Sequence, residues 1–175
     1  VTSGVCSGPP ARIWPDDATP DFFEGSDLAS ELGVKFRSDV AGFVSGVRFY
    51  KIPGNAGTHV GNLWSMGGTR LATATFTNET TSGWQQVVFS VPVPIAANTT
   101  YVASYFSPLG FYAISADYFA NQGEDAPPLH LLEEGVSGSN GVYDYAATSV
   151  FPTDTWRSSN YWVDVVLTTN TPADT

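Results

Sequence analysis

Tyr161-Trp162-Val163-Asp164-Val165-Val166-Leu167 is the run that decides the fold. Strict alternation places Tyr161, Val163, Val165 and Leu167 on one face and Trp162, Asp164 and Val166 on the other, which is the period of a β-strand. Both faces are largely apolar, and that predicts a strand lying centrally in its sheet. Asp164 stands alone among apolar neighbours. An unpaired buried carboxylate is costly, so it requires a basic side chain such as Lys35 or Arg48, backbone donors, or a cation.

The same alternation recurs upstream. Leu32 to Arg37, Gly42 to Lys51, His59 to Ser65, Arg70 to Thr77, Trp84 to Val91 and Tyr101 to Phe106 all read as strands. Val47 and Phe49 share a face in the second of these, and Val87, Phe89 and Val91 share one in the fifth. Pro53-Gly54-Asn55, Gly67-Gly68, Asn78-Glu79-Thr80 and Ala97-Asn98 supply turn chemistry between them. Helical signals are confined to Asp27–Glu31, where Ser26 or Asp27 would cap a single turn. With no crossover helices, parallel α/β folds are excluded. The expectation is an all-β fold, an antiparallel β-sandwich of jelly-roll type with first and last strands side by side. A long aromatic-rich connection precedes the last strand. The chain divides into a flexible leader (1–12), one sandwich module (13–168) and a linker or tail (169–175).

The chain has 175 residues, enough for one domain with a proper core. Charged residues make up only 14%, and the formal charge is -10. That sign excludes a nucleic-acid binder. A polar but weakly ionic surface suits an extracellular all-β protein. Cys6 is the sole cysteine, so no internal disulfide supports the fold. No apolar run approaches the ~18 residues of a membrane span. With neither an initiator Met nor a signal peptide, the sequence reads as a mature chain or an excised module.

Glu31-Leu-Gly-Val-Lys-Phe36, Gly46-Val-Arg-Phe-Tyr-Lys51, Gly57-Thr-His-Val-Gly61 with Leu63-Trp64, Ser82-Gly-Trp-Gln85 and Asn160-Tyr-Trp-Val-Asp164 occur in that order. On these segments the chain resembles the bacterial family catalogued as domain of unknown function 4082, from about Trp14 to Leu167. The resemblance implies a module of a secreted or cell-surface multidomain protein, one that binds or positions something beside neighbouring modules. It supplies no established reaction.

Residue by residue, catalysis has little to stand on. His59 and His130 lie far apart without an HExxH pattern, and no Gly-x-Ser-x-Gly elbow occurs. His59 either bonds a ligand or closes its own turn. Trp64 and Trp84, within strands, read as core rings, and Trp14 fits either side of that division. Between Gly110 and Tyr161 the chain interleaves aromatic rings with Gly, Pro, Ser, Asn and Asp. Long irregular connections in compact domains are usually functional, and flat rings on loops make contact surfaces. The candidate ligand-binding residues are therefore Tyr112, Asp117, Tyr118, Tyr143, Asp144, Tyr145, Trp156, Arg157 and Asn160. Aromatic stacking on sugar faces, with polar groups bonding hydroxyls, points to a polysaccharide or cell-surface glycan, a neutral one given the weak charge. The competing readings are a structural or adhesion domain whose rings merely cover the core, and a glycoside hydrolase of unrecognised type. For metals, hard cations take six to eight oxygens. If the first and last strands are neighbours, Glu31 and Asp164 would share a structural Ca2+. Otherwise Glu31 caps a turn and Asp164 pairs with a base.

Overall fold

The computed structural model describes residues 9–24 and 27–169. Cys6 and the last residues of the tail lie outside them. Among the described residues, thirteen strands follow in chain order. They are β1 (Phe22–Glu24), β2 (Ser30–Ser38), β3 (Gly42–Lys51), β4 (Val60–Ser65), β5 (Arg70–Thr75), β6 (Gly83–Ile95) and β7 (Tyr101–Ser107). After them come β8 (Tyr112–Ile114), β9 (Glu124–Ala126), β10 (Leu129–Leu131), β11 (Val142–Tyr145), β12 (Asp154–Thr155) and β13 (Val163–Thr168). No helix occurs among the described residues, so the turn expected at Asp27–Glu31 is corrected: Glu31 is already paired in β2.

The larger sheet has the order β12-β11-β2-β7-β4-β5, with β10 also on β2 and β9 on β10. The smaller sheet is β13-β3-β6, and β1 pairs separately with β8. Every ladder is antiparallel. The two sheets face each other across Leu32, Val34 and Phe36 from β2 and Val47 and Phe49 from β3, all essentially buried. Phe49 and Tyr105 stack across that interior with ring centroids 4.1 Å apart. A buried Phe contributes about 1.5–3 kcal/mol through lost apolar exposure, so alternation alone suffices to hold these strands in register.

The last strand departs from its sequence reading. β13 lies at the edge of the smaller sheet, not in its middle. Its free side is closed by the segment before Pro15, where Ala11 and Leu167 exchange backbone hydrogen bonds of 2.7 and 2.9 Å. Both faces are therefore buried without a central position. Ala11 and Arg12, assigned to the leader by sequence, belong to this packed edge. Val91 is the other departure: it is exposed because the β3–β6 ladder is interrupted between Val88 and Val93. Phe89 still reaches the core, Ser90, Val91 and Pro92 are exposed, and Ile95 returns to the core.

The aromatic connection is not one loop. β8 pairs with β1, while β10 and β11 pair with opposite ends of the edge of β2 not taken by β7. The segment thus extends the larger sheet and builds one end of the sandwich. That end is where the candidate site forms.

Candidate functional site

The antiparallel register of β2 and β11 sets Tyr143 opposite Leu32 and Tyr145 opposite Ser30. Residues two apart share a face, so these four side chains point the same way. Tyr112 and Ile114 approach from β8, and Trp156 follows β12. Together with Asp27 they line a cleft of about 260 Å³ at the end of the sandwich. The rings brace one another edge to face. Tyr143 meets Tyr145 at 5.5 Å and Tyr161 at 6.1 Å, and Tyr112 meets Tyr161 at 5.7 Å. Such pairs favour fixed geometry over a mobile surface.

Asp27 is held in place at several points. Its backbone N–H donates to the Gly110 carbonyl at 3.2 Å. Gly110 has φ +67°, and a Cβ there would lie 2.2 Å from the Asp27 carbonyl oxygen. Only glycine permits this close approach. The Asp27 carboxylate accepts from the Leu28 N–H at 2.8 Å through Oδ1. Its Oδ2 accepts from the hydroxyls of Tyr112 at 3.1 Å and Tyr145 at 3.0 Å. Burial and the neighbouring carboxylate push the Tyr112 hydroxyl well above its ordinary pKa, so it stays a proton donor. Among the described residues, no ion pair neutralises Asp27.

Of the residues singled out by sequence, Tyr112, Tyr143, Tyr145 and Trp156 converge on this cleft. Trp156 and Tyr145 are 48% and 46% exposed, leaving ring surface open to a ligand. Asp117 and Arg157 sit beside it. They form an ion pair on the surface, and the Arg157 guanidinium lies 5.2 Å from the Trp156 ring centroid. Asp117, Arg157 and Ser158 all have positive φ, so this rim is a tightly specified turn. Asp144 lies outside the cleft lining and accepts from Thr153.

Tyr118 and Asn160 are corrected outright. Tyr118 packs edge-on against Trp14 at 5.9 Å and donates to Glu124, away from the cleft. Asn160 is fully buried, and its Oδ1 accepts from the Trp162 N–H at 2.8 Å, bracing Trp162 at φ +57°. It is a buried framework residue that does not line the cleft. Sequence reasoning missed Asp27 and Ser30 as cleft residues. In the sequence Asp27 reads as a cap for the turn expected over Asp27–Glu31, and its contacts with Gly110, Tyr112 and Tyr145 reveal what it faces.

The expected sharing of an ion by Glu31 and Asp164 is also corrected, because β2 and β13 belong to different sheets. Asp164 takes two of the three kinds of partner its burial demanded. Ile13 N–H (3.0 Å) and Val165 N–H (2.7 Å) donate to Oδ1, while Trp14 N–H (3.1 Å) and the Arg48 guanidinium (3.1 Å) donate to Oδ2. Glu31 points to the outer side of the larger sheet. Its Oε1 accepts from Ser104 Oγ at 2.6 Å and Asn62 Nδ2 at 2.7 Å, and Asn62 also bonds Ser149 at 3.0 Å. Glu31 Oε2 and Asn62 Oδ1 are buried acceptors without a donor. Burial dominates and pushes the Glu31 carboxyl up to about 7. Among the described residues, no group of three or more His, Cys, Asp or Glu side chains is placed to hold a metal.

The remaining sequence candidates are structural. His59 is fully buried, with Nδ1 2.8 Å from Glu79 and Nε2 2.7 Å from Asn55 Oδ1, closing its own turn. Trp14 and Trp64 are buried as well, and Trp84 is partly so.

Fold and cleft together define an all-β sandwich module with an aromatic-walled depression at one end. Residues 17–163 match the family described as Domain of unknown function (DUF4082), and the chain belongs to that family. The matched region spans the cleft from Asp27 to Trp156. No curated protein matches the chain.

Proposed function

We propose that this chain is a non-catalytic carbohydrate-binding module of a secreted bacterial multidomain protein. The observation that carries the reading is the convergence of Tyr112, Tyr143, Tyr145 and Trp156 on one cleft beside Asp27 and Ser30. Sugar rings present apolar C–H faces that stack on aromatic rings, while carboxylate and hydroxyl groups fix orientation through the sugar hydroxyls. The cleft is braced by hydrogen bonds and ring contacts, so little ordering entropy is lost on binding. Its volume of about 260 Å³ suits one sugar unit of a longer chain that continues across the exposed face of Trp156.

Glycoside hydrolysis uses a pair of carboxyl groups about 5–9.5 Å apart. Asp27 is the one acid lining the cleft among the described residues. The partners of this reading are a polysaccharide or cell-surface glycan and the adjoining modules of the same polypeptide, outside the cell. Retention on insoluble glycans tests it. The intact protein is expected to be retained, and Trp156→Ala and Tyr145→Ala to pass through while melting as the parent does. If those variants unfold instead, the rings serve the core and the structural reading replaces this one.

A further inference from the structure

We infer that the cleft selects a ligand bearing an organic ammonium group, so that the sugar it takes is an amino sugar with a free, protonated amine. The inference rests on the cleft being the binding site and adds to it the charge of what binds. Its basis is electrostatic. Tyr112, Tyr143, Tyr145 and Trp156 line the depression together with the Asp27 side chain. The hydrogen bonds that Asp27 accepts come from neutral donors, the Tyr112 and Tyr145 hydroxyls and the Leu28 N–H. Those donors orient the carboxylate but leave its negative charge in place. Among the described residues, no lysine or arginine lines the cleft.

A carboxylate set among aromatic side chains is matched by a cationic ligand group. An ammonium ion there gains the ring quadrupoles and the carboxylate together, and partial desolvation strengthens both. A neutral sugar gains only stacking and hydroxyl bonds. The Trp156 ring already attracts a cation from its own chain, since the Arg157 guanidinium sits 5.2 Å from its centroid. Asp117 pairs with that guanidinium, so Arg157 brings no net charge to the rim that would repel an incoming amine. The net charge of -10 works in the same direction by drawing cationic polymers toward the surface.

The experiment compares four probes against the intact protein by calorimetry at mildly acidic pH. They are a fully deacetylated glucosamine tetramer, its N-acetylated counterpart, cellotetraose and tetramethylammonium chloride. The deacetylated tetramer is expected to bind roughly tenfold more tightly than either neutral tetramer, and tetramethylammonium to compete with it. Asp27→Asn preserves the shape of the side chain and is expected to remove that preference, leaving the deacetylated tetramer no tighter than the neutral ones. Should Asp27→Asn fail to fold, rising NaCl is expected to weaken the deacetylated tetramer alone with the unaltered protein. Equal binding of all three tetramers, indifferent to Asp27→Asn and to salt, overturns the inference and leaves the carbohydrate reading standing. Binding of tetramethylammonium with no tetramer bound overturns the carbohydrate reading and keeps the ammonium site. Binding of none of the four overturns both.

Discussion

Glu31→Gln is expected to make the protein more stable at alkaline pH and to flatten its stability profile. In the folded chain burial pushes the Glu31 carboxyl up to about 7, from the ordinary 4.5 that applies when the chain is unfolded. The folded state therefore keeps a proton that the unfolded chain releases as pH rises from 4.5 towards 7. By linkage, the contribution of this group is fully present below the lower value and is lost across that interval. The difference of about 2.5 units corresponds to about 3 kcal/mol. The geometry says why: burial disfavours the charged carboxylate more than the hydrogen bonds from Ser104 and Asn62 favour it. Glutamine stays uncharged at every pH. Urea unfolding of both proteins from pH 4.5 to 8.5 measures the effect. The variant is expected to gain about 3 kcal/mol relative to the parent by pH 8, or roughly 6–12 °C in melting temperature for a domain of this size. Stability curves that stay parallel across the range, or a parent more stable than the variant at pH 8, would refute the reasoning.

Other consequences follow from the same contacts. Asp164→Ala takes the acceptor from the buried N–H groups of Ile13 and Trp14 and leaves the Arg48 guanidinium with only Asp16 and the Trp14 carbonyl, and is expected to cost about 2–5 kcal/mol by denaturant unfolding. A loss below about 1 kcal/mol would mean the leader edge is not held by that carboxylate. Gly110→Ala pushes a methyl group into the Asp27 carbonyl and is expected to weaken ligand retention as well as stability, read by pull-down and melting temperature together. EDTA is expected to leave the melting temperature unchanged, because Glu31 and Asp164 have separate protein partners; a clear fall would reveal a stabilising cation held elsewhere.

Much of the framework was legible because apolar alternation and turn residues act locally. β3 runs over the same residues that alternation marks, and β2, β4, β5 and β7 differ from their sequence reading by only a few residues at their ends. What alternation cannot show is which strands meet. The apolar character of both faces of β13 suggested a central strand, yet it arises from an edge covered by residues 11–14. Asp164 was recognisable as an acid in apolar company and Glu31 as a turn cap or oxygen ligand, but whether they meet is a property of topology. The cleft is similar. Its rings stood out by composition, whereas Asp27 and Ser30 enter only through the β2–β11 register and the Gly110 contact. Tyr118 and Asn160 look in sequence like their neighbours in the aromatic segment, and only their burial and partners place them in the framework.

The central claim is that the ring-lined end cleft binds a glycan, and its most direct measurement is titration of the protein with sugar tetramers while the tryptophan fluorescence is followed. Trp156 is 48% exposed in the cleft, whereas Trp14 and Trp64 are buried. The account predicts a saturable change that Trp156→Ala abolishes without lowering the melting temperature. Saturable binding that survives unchanged in Trp156→Ala, or the absence of binding to any tetramer, would contradict it.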